Sequence, residues 1–290
     1  MKNFRIPTEL VLAKIKYVAA LRTWRKLGIF WLVILLVWLS ITGLAWYAER
    51  HLGNASTITG YALFVVMLSL SFLRVRKYLL VLPLGTVHDW LRVHTILGIV
   101  GVALYFQHSG SLWPNGHYEQ VIAIVFYGLT LSGMVGYFMQ RTLPPRLADL
   151  GGEIIYERIP SELADLREQV EQLILKAVKE LGSDTLGRYY TESLEWFFWK
   201  PRFLVGHMLG SGRSASWIRG RITALRRYLS DPERVYLDQI EVLALRKSQL
   251  DAHYALQSML KVWLFIHVPA AVLLLLLACW HLLVVNIYTR

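Results

Sequence analysis

The chain has 290 residues, 55% of them hydrophobic, with eleven tryptophans and a positive mean hydropathy, a composition too apolar for an ordinary water-soluble domain. Its formal charge of +11 invites a nucleic-acid reading, which the placement of the charges excludes below. A single cysteine, Cys279, excludes an intrachain disulfide, a Cys-x-x-Cys-His haem attachment and a cysteine-ligated iron–sulfur cluster.

Residues 1–26 are rich in Lys and Arg and read as a basic cytoplasmic N-terminus. The apolar run behind them is long enough to span a bilayer, so the expectation is a retained first helix and no cleaved leader. Residues 27–140 hold four candidate spans of about twenty residues, at 27–48, 58–73, 90–110 and 118–140. A polar, charged insert follows at 141–260, and a fifth span at 261–287 opens the last segment, 261–290.

Within the insert, apolar residues at Leu163, Leu166, Val170, Leu173, Ile174 and Val178 recur with helical period, and Gly182 ends the pattern. Asp231-Pro232-Glu233 predicts a new helix start, with proline in the first turn, running straight on into the fifth span. The run Glu195-Trp196-Phe197-Phe198-Trp199-Lys200, with 203–209 behind it, reads as a segment at the lipid headgroup level, where aromatic bodies and basic tips are both satisfied. No strand pattern recurs, so the expected class is an all-α membrane protein of five transmembrane helices with a helical cytoplasmic insert packed on the membrane face or on a partner.

Seven of the 31 basic residues precede the first span, four lie between Arg74 and Arg92, and eighteen between Arg141 and Lys261. Only Arg50 and Arg290 fall on the other side. This positive-inside asymmetry predicts a cytoplasmic N-terminus and an external C-terminus in a bacterial-type inner (cytoplasmic) membrane. The basic balance thus reports topology first and contact with anionic lipid second, and nucleic acid is not an expected partner.

Four histidines sit inside apolar segments: His94 and His108 in the third span, His267 and His281 in the fifth. Fourteen residues is about 40° short of four full turns, so each pair shares one helix face with members about 21 Å apart. Nine histidines placed at random would give about a quarter of a pair at any one spacing. Three pairs occur, but the third, His253 with His267, has one member in the polar stretch before the last span and reads as accidental.

An ionisable residue inside a membrane defaults to a functional role, and the metal that neutral imidazoles of this kind serve is haem iron. In a five-span topology the third and fifth helices run parallel. The expected sites are therefore His94 with His267 near the cytoplasmic face and His108 with His281 near the outer face, each holding one non-covalent haem b with two imidazoles. Gly98 and Gly101, four and seven residues after His94, would let a porphyrin approach the backbone, or would serve ordinary helix packing. Pro269 predicts a kink that either aims His267 or tilts the helix.

Two further clusters carry weaker signals. His88-Asp89 reads as a helix start first and a proton relay to quinone second, and His117 with Glu119 as an interfacial turn first. The stretch 206–214 fails the spacing of a phosphate-cradling loop and follows no strand, and no Gly-x-Gly-x-x-Gly sits after a strand, so no nucleotide or flavin domain is expected in this chain.

Paired histidines at this spacing on two membrane helices resemble the haem-ligand sets of dihaem cytochromes b, both of quinol–cytochrome c reductases and of the ferric-reductase and NADPH-oxidase transmembrane families. Trp90-Leu-Arg-Val-His-Thr-Ile-Leu-Gly, continuing to Phe106-Gln-His-Ser-Gly, is especially similar to the first ligand helix of the ferric-reductase-like group. The resemblance implies electron transfer across the bilayer between membrane quinone and a cytochrome c or multihaem redox subunit, within a multisubunit complex. The large insert departs from the quinol-reductase cytochromes, and the absence of a flavin module departs from the ferric reductases. Two alternatives stand beside this expectation: a transmembrane reductase of a metal ion or other terminal acceptor, and a haem-free transporter or assembly subunit.

Overall fold

The computed structural model describes residues 28, 31–43, 45–47, 50, 55–75, 86–152 and 154–288. The basic N-terminus 1–26, His51 and Arg290 lie outside the described residues. Among the described residues there is no strand, and ten helices follow in chain order. They are α1 (Trp31–Tyr47), α2 (Ala55–Val75), α3 (Val87–Ser109), α4 (His117–Asp149) and α5 (Ile159–Leu181), then the short α6 (Thr185–Tyr189), α7 (Glu195–Phe198) and α8 (Leu204–Met208), and finally α9 (Arg213–Arg226) and α10 (Asp231–Tyr288).

Four of these, α2, α3, α4 and α10, are long and apolar enough to cross a membrane, which by length and composition makes the chain a multi-pass membrane protein. The expected second span, drawn at 58–73, is longer at 21 residues. The expected first span is represented by α1, a shorter apolar helix that does not reach the same length.

The chain divides into two compact units, residues 1–133 with 269–290, and residues 134–268. In the first, Leu63, Val100, Leu104, Tyr105, Ala123, Phe126 and Leu274 form the core, with the Tyr105 ring stacked 4.2 Å from that of Phe126. Its outer faces carry exposed Val65, Leu68, Ile124, Leu273, Leu276 and Trp280. Such faces suit lipid, where helices associate through close packing because there is no water to exclude. Cys279 is exposed on the α10 surface, because the inward stripe of α10 passes through Leu274.

The second unit has a core of its own: Val170 and Ile174 from α5, Leu186, Tyr190, Leu194, Phe197 and Phe198 from the short turns, Ile218, Ile222 and Leu225 from α9, and Leu237, Ile240 and Ala244 from α10. Helix α5 begins four residues before Leu163, the first of those apolar positions, and ends as predicted, with Gly182 at a φ of 65°. The aromatic run at 195–200 is corrected in part. Phe197 and Phe198 are fully buried while Trp196, Trp199 and Lys200 remain exposed, since α9 supplies Trp217 and Ile218 to cover the two phenylalanines.

Helix α10 starts where predicted and runs unbroken through Pro269 into the membrane segment, 58 residues in all. Its cap is Ser230, whose N–H and Oγ both donate to the Glu233 carboxylate at 2.9 and 2.7 Å. The buried stripe Leu237, Ile240, Ala244 continues with Lys247 and Asp251, both fully buried.

Candidate bis-histidine site

Helix α3 opens on a capping box. The Asp89 N–H donates to the Thr86 hydroxyl, and the Thr86 N–H donates back to the Asp89 carboxylate, both at 3.2 Å. Asp89 is therefore engaged in starting the helix, while His88 beside it is exposed. Gly110, at a φ of 63°, stops the helix, so His94 and His108 stand on one uninterrupted rod.

That rod packs against α2 running the other way. The His108 Nδ1 lies 2.9 Å from the Ser56 carbonyl and 3.4 Å from the Ser56 hydroxyl. His94 makes a backbone hydrogen bond with Leu70. Ser56 and Leu70 are themselves fourteen residues apart, so the antiparallel helix offers one carbonyl to each histidine at the same spacing. A carbonyl on one ring nitrogen fixes the tautomer and leaves the other nitrogen's lone pair available, the usual arrangement around metal-ligating histidine. At His94 the remaining nitrogen, Nδ1, is buried without a protein partner.

Gly60 makes the first of these contacts possible. A Cβ built there would fall 2.8 Å from His108 Cε1 and 3.1 Å from Nδ1, so a side chain would close the gap through which the imidazole reaches the Ser56 carbonyl. Helical bonding normally satisfies such a carbonyl through the N–H four residues on. Here the Thr59 hydroxyl also donates to it at 3.1 Å, and the His108 imidazole joins them, which needs the backbone laid bare. Neither the two carbonyls nor Gly60 was singled out from sequence.

His281 on α10 faces His108, with ring centres 6.3 Å apart and planes at 83°. The Tyr118 ring stacks with His281 at 6.2 Å and 20°, and its hydroxyl donates to the Leu277 carbonyl at 2.6 Å. Tyr61 on α2 donates to Asn286 on α10 at 2.7 Å, a second tie beside the imidazole pair. His281 thus meets groups from two other helices.

His94 belongs to the first unit and His267 to the second. His267 is half-buried under the Trp263 indole, ring centres 5.0 Å apart at 26°, and Trp263 in turn lies against Gly136 of α4. Gly101 is buried and its open face meets Val66 of α2 at 3.6 Å, an ordinary helix contact, whereas Gly98 has open space where a Cβ would stand. His253, set aside from sequence, is buried with its Nε2 on the Gly151 carbonyl at 3.3 Å.

Among the described residues no group of three or more His, Cys, Asp or Glu side chains gathers as a metal site. The 6.3 Å between the His108 and His281 ring centres is close to the separation, about 6 Å, of two imidazoles that each bond at about 2 Å to one metal ion. Comparison with protein-family models, curated proteins and solved structures gives no match for this chain.

Proposed function

We propose that the chain is a dihaem b-type membrane cytochrome, a five-span bundle that passes electrons across the bilayer between the quinone pool and a cytochrome c or multihaem partner, as a subunit of a larger redox complex. The His108–His281 pair would hold the outer haem, and His94 with His267 the inner one. The observation that carries this reading is the ring separation of 6.3 Å at His108 and His281, together with the carbonyl that orients the His108 Nδ1.

When bound, such a group supplies one-electron chemistry through its iron. The chain's own residues do the rest. A haem iron held by two imidazoles would have no position left for oxygen or substrate, which favours electron transfer over ligand chemistry. Ser56 and Leu70 orient the α3 imidazoles, and Tyr118 steadies His281 against rotation. The apolar core of the same unit, including Leu104 and Phe126, would keep water from the path.

The test is a visible spectrum of the purified full-length chain with haem quantified against protein. The expected result is two b-type haems per chain, with His108→Ala and His281→Ala each losing the same one and His94→Ala and His267→Ala each losing the other. Absence of reduced b-type bands, or a crossed pattern of loss, overturns the assignment. Loss of turnover with quinol after quinone extraction then separates the quinone-linked reading from reduction of another acceptor.

A further inference from the structure

Between Glu195 and Asp231 the chain carries seven basic residues and no acidic one. The second unit presents part of this stretch outward. Arg213, Arg219 and Arg227 are exposed on or just after α9 and make no ion pair among the described residues, while the opposite face of α9 buries Ser214, Ile218, Ile222 and Leu225. Val205 and Leu209, one helical turn apart in and just after α8, are 68% and 79% exposed, although nothing in their composition favours water.

The depth of this patch is fixed by α4. From Gln120 to Gln140 that helix has no charged residue, a length of about 31 Å that matches the hydrocarbon core. Arg141 therefore marks the edge of the lipid on the side of the second unit. Arg146, five residues further and so about 8 Å beyond that edge, donates to the carbonyls of His207 and Met208 at 2.7 and 2.8 Å. Its guanidinium caps the end of α8 and pins that turn at the level of the headgroups. Lys261 marks the same boundary on α10, where 27 uncharged residues follow it to Tyr288, and it is fixed by Glu157 at 2.5 Å.

We propose that the α8–α9 segment is an interfacial anchor, with Val205 and Leu209 entering the lipid surface and Arg213, Arg219 and Arg227 binding anionic headgroups of the same leaflet. Exposed aliphatic residues beside unpaired cations suit an anionic lipid surface, since the apolar part gains from leaving water and the charges gain from the negative surface potential. An acidic protein partner would answer the arginines and leave the aliphatic pair without a reason to sit at headgroup depth. The inference uses the membrane character of the chain and not its cofactor, so the haem spectrum of the same sample stands or falls independently.

The experiment uses the full-length protein with Cys279→Ser and Leu209→Cys, labelled with a fluorophore and placed in nanodiscs of phosphatidylcholine alone or with phosphatidylglycerol. The expected result is quenching by nitroxide on the upper acyl chain and shielding from aqueous iodide, both stronger with phosphatidylglycerol and weakened by salt. Each Arg→Ala change at 213, 219 or 227 should lower the docked population about fivefold at low ionic strength. A label open to iodide in both lipids overturns the proposal. So does a label shielded from iodide without lipid quenching, which would mean a protein covers the patch, and so does quenching indifferent to lipid charge.

Discussion

At the scale of single residues, the place of His108 depends on the side chain that Gly60 lacks. In a helix, glycine to alanine ordinarily gains up to about 1 kcal/mol. At Gly60 the added methyl would meet the His108 ring, so Gly60→Ala should instead lower the melting temperature and remove the outer haem while sparing the inner one. Gly98→Ala, with open space at its Cβ, is the control that should leave His108 in place. Tyr118→Phe deletes only the hydroxyl bonded to Leu277, for an expected cost of about 1 kcal/mol in stability and a shift in the outer haem's potential, read by redox titration, with both haems retained. The four histidines stand out because imidazole is conspicuous in an apolar run, and the structure brings His108 and His281 near each other. The supports of His94 and His108 do not stand out, since a backbone carbonyl has no side-chain signature and a glycine on a membrane helix is as easily a packing contact. The same ambiguity let Gly101 be weighed as a cofactor contact, when it meets Val66.

At the scale of helices, periodicity read α5 and the start of α10 closely, because a single buried face leaves its period in the sequence. It failed for the aromatic run before α8, where burial depends on a helix supplied later in the chain. The α10 stripe shows the same limit: Lys247 and Asp251 occupy positions that the pattern assigns to apolar residues. Lys247 Nζ donates to Asp251 at 2.6 Å and to the Lys200 carbonyl at 2.9 Å, above the Phe197 ring. The Arg202 N–H donates to the same carboxylate at 3.1 Å. Burial pushes Lys247 down to about 8 and Asp251 up to about 6, against the attraction between them. An acid whose folded value is raised binds its proton more tightly when folded, so the Asp251 contribution weakens stability as pH rises from about 4 to about 6. For Lys247, lowered when folded, the loss accrues as pH falls from about 10 to about 8. Removing one partner leaves a buried charge, and Asp251→Leu should cost about 3–5 kcal/mol. The double change Lys247→Met with Asp251→Leu should restore most of it in chemical denaturation, and a double variant no more stable than the single one would show that the pair itself is required. Glu233 has the opposite sign: hydrogen bonds from Ser183 and Ser230 hold it below the usual carboxylate range, so its support for the α10 start is present near neutrality and lost on acidification. Glu233→Gln should flatten that acid limb of the stability profile.

At the scale of the whole molecule, the proposed sidedness rests on charge near the span ends. The loop between α3 and α4, residues 110–116, contains no charged residue, whereas Arg141, Arg146, Arg246, Lys247 and Lys261 all lie close to where the apolar runs of α4 and α10 begin or end. On the proposed topology α4 crosses the bilayer between that loop and those cations, and keeping the cations inside is the favoured choice. Asn115→Cys in a Cys279→Ser background should then react with an impermeant maleimide added to intact cells, while Gln172→Cys, exposed on α5, should react only after the membrane is opened. Reversed labelling would put the second unit outside and exchange the faces assigned to the two haem sites, but it would leave the His108–His281 pairing untouched, because that contact lies within one unit of the fold. Labelling of both positions from the same side would mean that α4 does not cross. The depth argued for the α8–α9 anchor would then lose its reference, since Arg141 would no longer mark an edge of the lipid. Sidedness and pairing are thus separable properties of this chain, the first set by where lysine and arginine are placed and the second by how three apolar helices, α2, α3 and α10, meet.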